Sequence, residues 1–152
     1  MTNLARRIAG ALDPELGSGH LDDDSLYLYE RTFGVDETMD RIEKILAARS
    51  IPVFARSDHG KNAREAGLEM PPARVVVFGS PKVGTNLMLR IPGIATELPL
   101  RIAVWEDGRG STWISFPHME KIARAYGVED MPAIAAIRKL LRDIASQAAN
   151  VY

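Results

Sequence analysis

The stretch Leu100-Arg-Ile-Ala-Val-Trp105, turned by Asp107-Gly108-Arg109-Gly110 and returned by Thr112-Trp-Ile-Ser-Phe116, decides the fold class. Leu100, Ile102 and Val104 alternate with Arg101, Ala103 and Trp105, the period-two pattern of a half-buried strand. A short Asp-Gly-rich link can only join antiparallel neighbours, because a parallel crossover needs a dozen residues or more. A tight hairpin this late breaks the regular strand–helix alternation of a doubly wound sheet. A two-layer α+β domain is expected, with a small, mainly antiparallel sheet and helices packed on it.

Working outward, Arg74-Val-Val-Val-Phe78 is an apolar, β-branched run and reads as the most buried strand. Residues 51–57 form a strand start or edge, because Pro52 lacks a ladder donor. Residues 25–33 alternate as a further strand. Between them, Asp36 is the expected cap of a helix reaching about Arg49. Met39, Ile42 and Leu46 repeat at helical spacing there, and Glu37–Arg41 and Asp40–Lys44 are acid-first i,i+4 pairs. Ser57 or Asp58 caps a short helix stopped by Gly67; Ser80 and Pro81 open one that ends before Pro92. Pro117 opens a helix stopped by Gly127. Asp130 caps the last helix, whose stripe is Ile134, Ile137, Leu141, Ile144 and Ala148. The order from residue 25 is β-α-β-α-β-α-β-β-α-α.

Residues 1–23 read as a short amphipathic helix over 2–12 and an exposed acidic lead-in, and residues 24–152 as one domain. The 152 residues suit a single core without metal or disulfide staples. With no cysteine, thiol catalysis and cysteine metal sites are excluded. A net charge of -1 argues against a broad nucleic-acid face. Apolar runs are far shorter than the ~20 residues of a spanning helix, and the first twelve residues lack a signal-peptide core. A cytoplasmic location without membrane or nucleic-acid partners is expected.

The sharpest local feature is Phe78-Gly79-Ser80-Pro81-Lys82-Val83-Gly84-Thr85, a strand end, a glycine turn and a helix start. Such a turn aims backbone N–H groups and a positive helix end at one point, which suits an anion. Gly79 and Gly84 bracket four residues as in a phosphate loop, but Thr85 stands where that loop needs lysine, so a nucleoside-triphosphatase is rejected. The bland reading is an ordinary capped helix. Asp58-His59 is the second feature: a histidine beside an acid can serve as acid, base or ligand, against a reading as a cap and a polar turn residue. His118, in the first turn of a helix, is expected to face solvent. No HxH, HxxxH or HExxH spacing exists, so neither metal nor cofactor is expected. Glu97 and Arg101 read as a binding pair or as strand-end surface charges. Trp105 and Trp113 sit on the two hairpin arms, to pair across the ladder or cover a partner.

Ser57-Asp58-His59, Ala63-Arg64-Glu65-Ala66-Gly67-Leu68, Val75-Val76-Val77-Phe78-Gly79-Ser80-Pro81, Gly84-Thr85-Asn86-Leu87-Met88, Leu98-Pro99-Leu100-Arg101 and Tyr126-Gly127-Val128 follow in that order. Together, over about residues 24–130, they resemble the bacterial family called domain of unknown function 302. The resemblance implies a compact α+β domain with helices on a small sheet, often a homodimer, and no settled activity. Its usual FG-N-P turn has serine at Ser80 here; its acid–histidine pair matches at Asp58 and His59.

The resulting expectation is a homodimeric binding or accessory protein with a pocket for a small polar or anionic ligand. Gly79, Ser80, Lys82, Gly84, Thr85 and Arg101 are its candidate residues. If the turn after residues 51–57 and the turn after residues 74–78 lie together, His59 and the glycine turn share one cleft. Two alternatives stay open: a small hydrolase or isomerase with His59 as general base and Asp58 beside it, and a structural protein-interaction domain.

Overall fold

A computed structural model of the protein describes the backbone of residues 12–13, 18–20 and 26–31 and the whole of residues 33–149. The elements run β1 (Leu12–Asp13), β2 (Ser18–His20), β3 (Leu26–Arg31), α1 (Val35–Ala48), β4 (Val53–Asp58), α2 (His59–Glu65) and β5 (Ala73–Phe78). They continue with α3 (Pro81–Arg90), a 3₁₀ turn (Pro92–Glu97), β6 (Leu100–Glu106), β7 (Thr112–Pro117), α4 (Met119–Tyr126) and α5 (Pro132–Ala149). From β3 onward this is the order read from the sequence. Ahead of it, the stretch read as an exposed lead-in supplies β1 and β2, and β2 pairs with β3. Residues 2–11 of the expected N-terminal helix lie outside the described residues, and Leu12 begins β1.

All seven strands pair antiparallel in the order β1-β2-β3-β7-β6-β5-β4. Alternation sends Leu100, Ile102 and Val104 of β6 to one face, where their partners Phe78 and Val76 of β5 are also buried. Helices α1 and α5 pack against each other, α1 touches β5 and β6, and α5 reaches β3. The apolar stripe of α1, with Met39, Ile42 and Leu46, and that of α5, with Ile137, Leu141 and Ile144, are buried in that layer. Each such side chain contributes about 1.5–3 kcal/mol on burial. Acid-first surface pairs contribute about 0.2–0.5 kcal/mol each, so the stripes and not the charges hold the layer together. One polar contact reinforces it: Arg41 Nε donates to the Ala148 carbonyl at 2.8 Å while its guanidinium lies 4.4 Å over the Phe33 ring.

Four local expectations are corrected. The cap of α1 is Gly34, not Asp36, because burial of Val35 draws the helix start earlier. The most buried strand is β7, where Thr112 to Phe116 are all buried between β3 and β6; Val75 and Val77 of β5 are only half-buried. Pro117 ends β7 instead of opening a helix. His118 is buried, not solvent-facing: it is the cap of α4, and its Nδ1 accepts the Lys121 N–H at 3.2 Å.

The hairpin is locked at its turn. Asp107 Oδ1 accepts the N–H groups of Arg109 and Ser111, at 2.8 and 3.0 Å, and Oδ2 accepts Trp113 Nε1–H at 2.9 Å. Trp105 and Trp113 are direct cross-strand partners and stack with centroids 6.0 Å apart, and Trp105 Nε1 donates to Ser115 Oγ.

Candidate functional site

The turn from β5 into α3 forms as its residues dictate. Ser80 is extended and its Oγ accepts the Val83 N–H at 3.5 Å, while Pro81 fills the first helical position, where a missing N–H costs nothing. A cavity of about 340 Å³ opens beside this turn. Its walls come from remote parts of the chain: Phe54 of β4; Gly79, Ser80, Val83, Gly84, Thr85 and Met88 at the turn and on α3; Leu98, Pro99 and Leu100 leading into β6; and Ala136, Ile137 and Leu140 of α5. Among the described residues, no charged side chain lines it. Lys82, adjacent in sequence, is exposed and absent from the wall. Among the described residues, the polar side chains in the wall are the hydroxyls of Ser80 and Thr85, both exposed.

Arg101 belongs elsewhere. It is exposed on β6 opposite Val77 and lines a separate depression with Glu97, Lys121 and Tyr126; Tyr126 Oη donates to Glu97 Oε1 at 3.4 Å. The grouping of Lys82 and Arg101 around the glycine turn therefore does not form.

Asp58 and His59 are farther still. β4 and β5 are antiparallel, with Val53 opposite Phe78 and Asp58 opposite Arg74. The turn after β4 and the turn after β5 thus leave opposite ends of the sheet, about 17 Å apart at roughly 3.3 Å per residue. The shared cleft does not exist, because consecutive antiparallel strands end on opposite sides. Asp58 is the α2 cap, its Oδ1 accepting the Lys61 N–H at 2.9 Å; His59 is exposed at the first position of that helix. Among the described residues, no cluster of three or more His, Asp or Glu side chains could hold a metal ion.

Phe54, Leu98 and the α5 residues were not singled out from the sequence as site residues. One signal was available for Phe54: it is a large apolar residue on a strand read as an edge, and it is 51% exposed.

A small antiparallel sheet carrying one helical layer, with an apolar cavity at a strand-to-helix turn, defines a two-layer α+β domain. Residues 28–148 match the family model described as domain of unknown function DUF302, and the chain belongs to that family. The crystal structure of the uncharacterized conserved protein DUF302 from Bacillus stearothermophilus superposes with a TM-score of 0.70 at 20% identity, covering 82% of this chain and 98% of that one. It shares the fold. The chain is also 40% identical over 93 residues to a protein named fluoride-specific ion channel FluC 1 from Brucella suis biovar 1 (strain 1330), covering 61% of this chain and 37% of that protein. A like-named protein of Brucella abortus biovar 1 (strain 9-941) matches with the same identity, over 34% of its length. The chain thus spans about a third of the length of these curated relatives. Among the described residues, no helix is long and apolar enough to cross a membrane.

Proposed function

We propose that this chain is a homodimeric binding or accessory domain whose ligand site is the cavity at the β5–α3 turn. The carrying observation is the cavity itself: about 340 Å³, walled by four separate parts of the chain, within the range of small-ligand sites. His59, the candidate base, lies at the opposite end of the sheet and is exposed, which speaks for binding over catalysis. The Brucella proteins support an accessory role in one respect only. A stretch similar to this one makes up about a third of longer chains named as channels. Ion conduction is not carried to this chain.

Assembly is supported by the sheet face opposite the helical layer. There Ala73, Val75 and Val77 of β5 and Ala103 and Trp105 of β6 are half-buried neighbours by register. A second copy covering this face would finish burying them. Sedimentation equilibrium of the full chain is expected to return twice the monomer mass, and Val75→Glu to return the monomer mass with unchanged circular dichroism. A wild-type monomer at tens of micromolar would remove the dimer.

For the binding reading, thermal-shift screening against a metabolite panel is expected to find a stabilising compound. That shift should vanish in Gly84→Leu and survive in His59→Ala. Stabilisation lost in His59→Ala but kept in Gly84→Leu would overturn the cavity assignment in favour of the His59 end.

A further inference from the structure

We infer that the cavity at the β5–α3 turn takes an uncharged, apolar small molecule, and that Gly84 is glycine in order to keep its volume open. This rests on the reading of that cavity as the binding site. It replaces the anionic ligand expected from the turn's sequence.

Gly84 sits inside α3, where glycine is a poor helix former. Neither of the usual reasons for glycine holds. Its φ is not in the left-handed region, so any L-residue can adopt its backbone. Among the described residues, a Cβ built there meets only Leu98 Cδ1 at 3.7 Å and Met88 Cε at 3.9 Å, ordinary van der Waals contacts. The helix therefore forgoes stability at a position that would accept alanine. What distinguishes the position is that it lines the cavity, between the two side chains just named. Gly79, on the same wall, repeats the pattern: its φ is not left-handed, and an added Cβ meets Phe54 Cε2 and Pro99 Cβ at 3.8 Å and the Leu100 backbone N at 3.9 Å, all ordinary van der Waals contacts. Two glycines without backbone need, both on one wall, leave space that a larger residue would fill.

The lining sets the ligand class. The described wall residues carry no charged side chain, so against them an ionised ligand would lose hydration with no counter-charge to replace it. An apolar body gains from leaving water, and the two hydroxyls at Ser80 and Thr85 can meet one polar tip.

The test uses the full chain and the neutral fluorophore N-phenyl-1-naphthylamine, with Gly84→Ala and Gly84→Leu as variants. The wild type is expected to enhance probe fluorescence saturably, and octan-1-ol to displace the probe. Octanoate should be at least about tenfold weaker, and citrate and inorganic phosphate inactive. Gly84→Ala should raise Tm by roughly 1–5 °C while weakening the probe. Gly84→Leu should weaken it by at least about tenfold with native circular dichroism. A gain in Tm together with a loss of binding is the signature of reserved volume, and a merely structural glycine would not give it. Displacement by octanoate as strong as by octan-1-ol would overturn the ligand class and leave the site standing. Probe binding unchanged in Gly84→Leu, or absent from the wild type, would overturn the site as well.

Discussion

Asp107 shows how much one side chain does in this domain. Burial pushes its carboxyl up, but Trp113 Nε1–H, the Arg109 and Ser111 N–H groups and the Arg109 charge outweigh that and hold it below the usual carboxylate value of 3.8. A carboxylate whose pKa is depressed on folding contributes stability that is fully present above the unfolded value and is lost as pH falls through the folded one. Asp107→Asn is expected to cost about 1–2 kcal/mol at pH 7, from weakened charge-assisted bonds in a partly exposed turn. The gap to wild type should narrow as pH falls below about 4, in urea unfolding across a pH series. A gap that stays constant down to pH 2 would contradict the role of the charge. The sequence shows Asp107 as a turn residue and Trp105 and Trp113 as residues of opposite arms. It does not show that the Trp113 indole reaches back to the aspartate, since that depends on the hairpin's register and twist.

At the scale of elements, the helix ends were legible where glycine marks them. Gly67 at φ +78° and Gly127 at φ +69° end α2 and α4 in the left-handed region. In each case the next N–H closes back, Leu68 to the Ala63 carbonyl at 2.8 Å and Val128 to that of Ala123 at 2.9 Å. The end of α1 has the same geometry without the signal. Ser50 holds φ +56°, and Ile51 N–H reaches the Leu46 carbonyl at 2.9 Å. Serine is no marker of left-handed backbone, so that cap was invisible until the buried Leu46 and half-buried Ile51 fixed the turn. Gly127→Ala is therefore expected to destabilise by about 1 kcal/mol, and Ser50→Gly to stabilise by a smaller amount, both read by urea denaturation. A destabilised Ser50→Gly would show that its side chain contributes more than its backbone strain costs. The starts were legible at Asp58 and Ser80, whose short polar side chains have no better local role. The start at Gly34 was not, because packing of Val35 sets it.

Over the whole molecule, the core joins stripes written far apart in the chain. Leu141 of α5 is 1% exposed among α1 and sheet residues. Leu141→Ala is expected to cost about 2–5 kcal/mol, measured by denaturant unfolding. A loss under 1 kcal/mol would mean that α5 docks less tightly than its burial indicates.

By itself the sequence determined the two-layer α+β class, the order of elements from β3 onward, the hairpin, the helix starts at Asp58 and Ser80, the glycine stops at Gly67 and Gly127, and the turn at Gly79–Thr85. These follow from local causes: apolar period, turn chemistry and capping side chains. The starts expected at Asp36, Pro117 and Asp130 fall instead at Gly34, His118 and just before Pro132. Only the tertiary structure decided which functional candidates meet. Antiparallel pairing of β4 with β5 sends His59 and the glycine turn to opposite ends of the sheet. Phe54, Leu98 and α5 close an apolar wall beside that turn, where the sequence by itself suggested an anion pocket with Lys82 and Arg101. The physical reason is that a site's polarity is set by the side chains that converge on it through space, and that convergence is fixed by strand direction and helix docking, not by neighbours along the chain.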